Sequence, residues 1–331
     1  MKMIIVEHNE AGQRLDKLLS KILNKAPKSF IYKMLRKKNI VLNGKKAEGS
    51  EKLILMDEIK LFLSDETIEQ FSEPIETTQV EHRLVILYED KHLLLLNKPI
   101  GMLSQKAEKD DISIIEHIIS YLIDTKQLTK EELSRFKPGV CNRLDRNTSG
   151  ILIAGKSLLG LQEMARLLKD RSMDKYYLCI VKGRIQEKKR IEGWLSKDEE
   201  KNQVKIYQNQ RDDTEFICTE YEPIRFSKIF SKDAQNSNDS YTLLRVKLIT
   251  GRSHQIRAHL ASIGHPLIGD YKYGDSKSNH YFTNKYELRH QLLHSYHMKF
   301  PLITGELSYL SNKDFTAEIP ELFRQIEKDL F

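Results

Sequence analysis

An α+β fold is the class this sequence predicts: a large body on a mixed or antiparallel sheet, preceded by a small N-terminal α/β module. Three observations carry it. Strand-like and helix-like stretches follow one another irregularly, and neighbouring strands are not all bridged by helices, which disfavours a doubly wound sheet. A basic segment with helical periodicity opens the chain, and an acidic stretch without Lys or Arg separates it from the remainder. The 331 residues, 40% of them hydrophobic, suffice for about two domains with cores of their own. We place the module at residues 1–63, the acidic linker at 64–81 and the body at 82–331.

In the module, Leu15, Leu18, Leu19, Ile22 and Leu23 recur at the spacing of one helical face. Ser29 is expected to cap a second helix with Ile31, Met34 and Leu35 inside. Lys33, Arg36 and Lys37 then fall off that face, toward water or phosphate. Asn43-Gly44 tolerates positive φ and marks a turn between residues 40–42 and a strand over 53–63. Between Ala11 and Ser50 eleven basic residues face two acidic ones, so this segment carries +9 of a chain whose net charge is +7. Such a block on a near-neutral body points to a polyanion, and with no membrane-anchoring signal, to nucleic acid. Residues 64–81 hold six carboxylates and Pro74 and read as a linker.

The body opens with strands expected at 84–88 and 93–96 around a Glu89-Asp90-Lys91 turn. Helices are expected at 112–122 and 158–168, and further strands at 151–154, 177–181, 216–221 and 241–249. Residues 228–240, rich in Asn, Ser and Asp, read as a surface insertion. Three cysteines without CxxC spacing argue against a disulfide framework and a thiolate zinc site, and for a reducing compartment. No apolar run approaches the ~18 residues of a membrane span. A cytoplasmic protein without a membrane partner is expected.

Two motifs mislead. Gly150 to Ser157 matches the phosphate-binding pattern GxxxxGK[ST], but Ile-Leu-Ile-Ala between its glycines is itself strand-like and the preceding residues are polar, so the flexible loop that wraps phosphate is missing. No nucleotide cofactor is expected. His254, His259 and His265 suggest a metal site, yet the first two lie about 140° apart round a helix and no Cys or carboxylate completes a set. No metal is expected, and the rival reading as a metal-dependent nuclease is disfavoured.

The chemistry-bearing residues fall in three stretches. Asn142-Arg143-Leu144-Asp145-Arg146-Asn147-Thr148-Ser149-Gly150 is a dense polar loop before an apolar strand, a common setting for catalytic groups. Asp145 stands between Arg143 and Arg146, whose charges favour its ionised form. Lys175-Tyr176-Tyr177-Leu178 opens a strand. Thr250-Gly251-Arg252-Ser253-His254-Gln255-Ile256-Arg257-Ala258-His259-Leu260 reads as a Gly turn and a short helix bearing Arg252, His254, Gln255, Arg257 and His259, more polar side chains than solubility needs.

In this order, with Asn97-Lys98-Pro99, Gly264-His265-Pro266, Gly269-Asp270 and Leu292-Leu293-His294, these stretches closely resemble the RluA-type family of pseudouridine synthases from about Leu84 to Pro301. Arg14-Leu15-Asp16-Lys17, Ser29, Arg36 and Val41 to Gly44 likewise resemble the RNA-binding module named after ribosomal small-subunit protein S-four. Met56 stands there where that module usually has Gly. The resemblance implies isomerisation of uridine to pseudouridine in RNA without a cofactor. It places the catalytic aspartate on Asp145, the active-site tyrosine on Tyr177 and the aspartate-pairing base on Arg257; Asn142 stands where many members have His.

That chemistry suits the residues. The bond from uracil N1 to the sugar breaks, the base turns, and C5 rejoins the sugar. A carboxylate can add to the sugar or draw off a sugar proton, and Arg257 is expected to hold Asp145 in a bidentate pair. Tyr177 is expected to pack on the uracil and help remove the C5 proton. A stacked uridine is out of reach, so base flipping is implied, with Arg143 contacting the vacated stack. We place further RNA contacts at Arg252, His254 and Gln255, and in the module at Lys33, Arg36 and Lys37. The resemblance favours large-subunit ribosomal RNA as substrate; the oligomeric state is left open by the sequence, with a monomer favoured. The rival from another class, a catalytically silent RNA-binding or ribosome-assembly protein, is opposed by intact Asp145, Tyr177 and Arg257.

Overall fold

The computed structural model describes residues 1–73, 78–227 and 240–331. The chain begins with β1 (Lys2–Ile5), α1 (Leu15–Ile22), α2 (Lys28–Arg36), β2 (Ile40–Leu42), β3 (Lys45–Lys46), β4 (Glu58–Leu61) and α3 (Asp65–Phe71). Its strands pair antiparallel in the order β1-β4-β2-β3. The expected apolar faces of α1 and α2 are buried together with Ile4, Ile40, Ile59 and Leu61, while Lys33, Arg36 and Lys37 are exposed. Asn43 and Gly44 both take positive φ and close the β2–β3 hairpin.

Three expectations need correction. Pro27, not Ser29, precedes the second helix, its extended backbone preset for that position. The strand over 53–63 contracts to β4, because Met56 turns left-handed at φ 70° and the Asp57 carboxylate accepts the Ile54 N–H, closing a tight turn. Residues 64–81 are not linker throughout: Ser64 accepts the Thr67 N–H and starts α3, which buries Ile68 and packs Phe71 on Phe30 at 4.2 Å between ring centroids. Pro74 lies outside the described residues, as does most of the insertion read at 228–240.

The body continues with β5 (Ile86–Glu89), β6 (Leu93–Lys98), α4 (Ile114–Asp124), α5 (Lys130–Arg135), β7 (Gly139–Val140), β8 (Ser149–Gly155), α6 (Leu158–Lys169), β9 (Asp174–Lys182), β10 (Lys189–Asp198), β11 (Gln203–Tyr207), β12 (Glu215–Phe226), β13 (Tyr241–Leu248), α7 (Gln255–Ser262), α8 (Ser276–Tyr286), β14 (Leu293–Lys299), β15 (Asp314–Thr316) and α9 (Glu321–Leu330). The path β11-β10-β12-β13-β9-β14-β8-β6-β5 forms one mixed sheet, with β15 on β14 and β7 on β8. Of these pairings β14 with β8 is parallel and the others are antiparallel, as the α+β reading requires.

This sheet is covered on both faces. Leu94, Leu96, Leu152, Ala154, Cys179 and Val181 enter one core, and Leu93, Leu95, Ile151 and Ile153 enter another on the opposite side. Continuous apolar runs, not alternation, are the consequence. The Ile-Leu-Ile-Ala stretch inside the false phosphate-loop motif is the middle of such a strand, β8, buried throughout. The three cysteines are unpaired. No helix among the described residues is long and apolar enough to cross a membrane.

Candidate active site

Asp145, Tyr177 and Arg257, 112 residues apart at the extremes, line one cleft of about 1310 Å³. Asp145 lies in the loop entering β8, and that loop is held from below on both sides. The Ser104 hydroxyl bonds both backbone groups of Leu144, whose side chain is buried. On the other side the fully buried Lys98 ammonium donates to the carbonyls of Pro99 and Met102 at 2.9 Å and of Arg146 at 3.1 Å. The Thr148 N–H closes the turn on the Asp145 carbonyl at 3.0 Å.

Arg257 donates from Nη1 to Asp145 Oδ2 at 2.8 Å. The expected bidentate pair exists, but with another carboxylate: Nε and Nη2 meet Asp270 at 2.7 and 3.0 Å. A guanidinium offers its fork in one plane, so the two bonds to Asp270 fix the direction in which Nη1 points. Burial pushes Asp270 toward the neutral acid, but Arg257 and the backbone N–H groups of Lys272 and Tyr273 outweigh it and hold its pKa below the ordinary value. Arg143 and Arg146 are exposed, so the nearest cation to Asp145 comes from α7 and not from its sequence neighbours. Asp145 Oδ1 accepts no hydrogen bond among the described residues, which leaves one carboxylate oxygen free.

Tyr177 is buried on β9, and burial pushes its phenol up to about 12. Near neutrality it is a protonated phenol. His254 sits at the mouth of α7 in the left-handed region, φ 53°, with Nδ1 2.9 Å from the Tyr273 hydroxyl and Nε2 3.9 Å from Asp145 Oδ2. Burial lowers its pKa, so the imidazole is neutral. Tyr273 in turn accepts the Val204 N–H and tethers the β10–β11 hairpin to the site.

The sequence suggests five polar side chains on one short helix; α7 begins only at Gln255, and Arg252 and His254 precede it. The helix is buried on all sides, so its polar groups are satisfied internally. Gln255 is 2% exposed and uses its amide fully: Nε2 donates to the Cys218 carbonyl and Thr219 hydroxyl, and Oε1 accepts from Thr250 and the Arg252 N–H. It has no polar atom left for the RNA contact expected of it. His259 is equally internal, bonded to the Thr219 hydroxyl, and burial lowers its pKa to about 4. Arg252 lines the cleft in an ion pair with Glu215, and Arg143 lines it exposed. Lys33, Arg36 and Lys37 belong to the α2 region and not to the cleft. Asn142 also departs from the family pattern in use: its amide bonds the Ile151 carbonyl and the Ile153 N–H, pairing with the edge of β8.

Sequence reasoning missed Asp270, Lys98 and Tyr273. Each lies within a recognisable motif, yet only the fold shows that they converge. Eleven Lys and Arg residues line the cleft against one carboxylate, Asp145, a surface suited to a polyanion.

A model of the RNA pseudouridylate synthase family matches residues 92–262. The chain is 30% identical over 313 residues to an uncharacterized RNA pseudouridine synthase of Mycoplasma genitalium, spanning 94% of this chain and 93% of that one. It is likewise 30% identical to the ribosomal large subunit pseudouridine synthase C of Escherichia coli, over 91% of this chain and 88% of that one. Among solved structures, human RNA pseudouridylate synthase domain containing 4 superposes with a TM-score of 0.54 at 20% identity, covering 74% of this chain and 92% of that chain. That likeness concerns the fold.

Proposed function

The chain belongs to the RNA pseudouridylate synthase family and is an RNA pseudouridine synthase, and we propose that Asp145 carries the reaction on a uridine flipped into the cleft. The observation that supports this most is the division of labour round Arg257: Asp270 fixes the guanidinium, Nη1 holds Asp145 Oδ2, and Oδ1 stays free for the sugar. That oxygen either adds to the sugar carbon or draws off a sugar proton; in both routes the N1 bond breaks, the base turns and C5 rejoins. N1 gains a proton and C5 loses one, so no oxidant or donor is consumed.

Tyr177 packs against the base. As a protonated phenol it assists at C5 only if its own proton leaves in the same step. Flipping is needed because a stacked uridine cannot approach a carboxylate at the bottom of a cleft, and Arg143 at the rim is suited to the vacated stack. The substrate we propose is large-subunit ribosomal RNA, after the name of the Escherichia coli relative. The module, with exposed Lys33, Arg36 and Lys37, adds contacts to its phosphates.

The test is tritium release from unmodified large-subunit ribosomal RNA labelled at uridine C5. Wild-type protein should release tritium. Asp145→Asn, nearly isosteric but without charge or nucleophilicity, should lower release by at least about 10³-fold while RNA binding persists. Pseudouridine made by well-folded Asp145→Asn protein, with deamidation excluded by mass spectrometry, would end the assignment.

A further inference from the structure

Two buried lysines flank the site, and they are treated in opposite ways. Lys98 gives its three protons to three carbonyls. Lys175 is 8% exposed and lines the cleft, yet among the described residues its ammonium has no ion pair and no hydrogen bond. Asp174, its neighbour in sequence, is taken by Lys247 at 2.7 Å. Asp145, the one carboxylate lining the cleft, is taken by Arg257. The remaining charge beside Lys175 is a second cation, Arg171, which also lines the cleft and, with burial, lowers the pKa of Lys175.

The Lys175 side chain is buried while its ammonium opens on the cleft, so the charge is partly desolvated with no protein anion among the described residues to offset it, and such departures concentrate where a ligand completes the site. Position says which ligand. Lys175 and Tyr177 are two residues apart on β9 and both buried on the same face of the sheet, about 7 Å along the strand. That is the scale of one nucleotide from base to backbone. Gly251 lies beside the ammonium, where a Cβ would stand in ordinary contact 3.7 Å from Nζ.

Resting on the proposed function, we propose that Lys175, with Arg171 beside it, binds the backbone phosphate of the nucleotide whose base is seated at Tyr177. The phosphate would supply the anion that the protein withholds, so the pair contributes attraction only when RNA is in place.

The experiment compares full-length wild type with Lys175→Met, which keeps the length of the side chain and removes the charge. The probe is an unmodified large-subunit ribosomal RNA transcript, with binding measured across salt concentrations and pseudouridine formation measured in parallel. We expect binding weaker by about tenfold and a salt slope shallower by about 0.7, the contribution of one phosphate. Thermal stability should be unchanged or higher, because the charge removed has no partner among the described residues of the protein. Weaker binding with an unchanged slope would place Lys175 on the uracil and overturn the phosphate assignment. A lower melting temperature, or failure to fold, would show that the ammonium supports the fold and would overturn it too. If wild type formed no pseudouridine, the fault would lie with the proposed function; if wild type did and the variant matched it in affinity and slope, only the phosphate site would fall.

Discussion

Lys98 is sealed from solvent, and its charge is tolerated because the carbonyls of Pro99, Met102 and Arg146 each take one of its three protons. Burial nonetheless pulls its pKa down from 10.5 to about 8, against the opposing attraction of Asp145. As pH rises through about 8 the third donor is lost, the Arg146 carbonyl is the weakest held, and the loop that carries Asp145 loosens. Turnover should therefore fall on the alkaline side with a midpoint near 8, read as kcat against pH; a flat profile to about pH 10 would contradict it. Unfolding cannot mimic this loss through the same group. Its folded pKa lies below the unfolded one, so between about 8 and 10.5 the unfolded chain binds more protons, and this lysine makes the fold more stable as pH rises. A melting temperature measured alongside separates the two. At this scale the motif containing Asp145 and Arg257 was legible, whereas the partner that orients Arg257 was not: Asp270 is 13 residues further on, and only the fold of α7 against the following turn brings the carboxylate under the guanidinium.

Among the elements, apolar stripes and apolar runs were legible, whereas the role of polar residues on a helix buried all round was not. The strict spacing of Leu15, Leu18, Leu19 and Ile22 marks α1, because one face meets a core and the other meets water. In α7 every residue from Gln255 to Leu260 is buried, so no stripe exists, and polar residues that serve the interior, Gln255 and His259, read as functional ones. The acidic residues of α3 obscured its two apolar contacts, Ile68 and Phe71, in the same way. A departure from the module pattern has a measurable consequence at this scale. Met56 holds a left-handed φ of 70° in the turn before β4, with its side chain 68% exposed. An L-residue is disfavoured there by roughly 1–2 kcal/mol, and glycine returns part of that gain through the entropy of the unfolded chain. Met56→Gly should stabilise the module by up to about 1 kcal/mol, seen as slower hydrogen exchange of the β1 and β4 amides. Unchanged or faster exchange would show that the Met56 side chain contributes more than its exposure suggests.

Across the whole molecule, positive charge is gathered in two places that differ in how they are written. The module displays its cations in a continuous run, +9 between Ala11 and Ser50, which the sequence makes plain. The eleven cations of the cleft come from positions as far apart as Lys106 and Arg289 and form no run, so the second surface exists only once the sheet has folded. The hydrophobic core of the module shares no residue with the cores of the body. Residues 78–80 belong with the body by their bonds, since the Val80 N–H and the Thr78 carbonyl both meet the Ser120 hydroxyl. A deletion should therefore end at residue 73, and not at the edge of the acidic stretch. Among the described residues, removal of 1–73 gives up one hydrogen bond to the body, from the Leu158 N–H to Asn9, and α1 leaves its place near α5. The remaining body keeps the whole cleft, so it should fold and isomerise uridine at saturating RNA. Affinity for large-subunit ribosomal RNA should fall, and the slope of log affinity against log salt should flatten by about 0.7–0.9 for each phosphate that the module had neutralised. Filter binding at several salt concentrations, on full-length and truncated protein, measures both. An unchanged slope would mean that the module's charge never meets the RNA, and that the cleft alone accounts for binding.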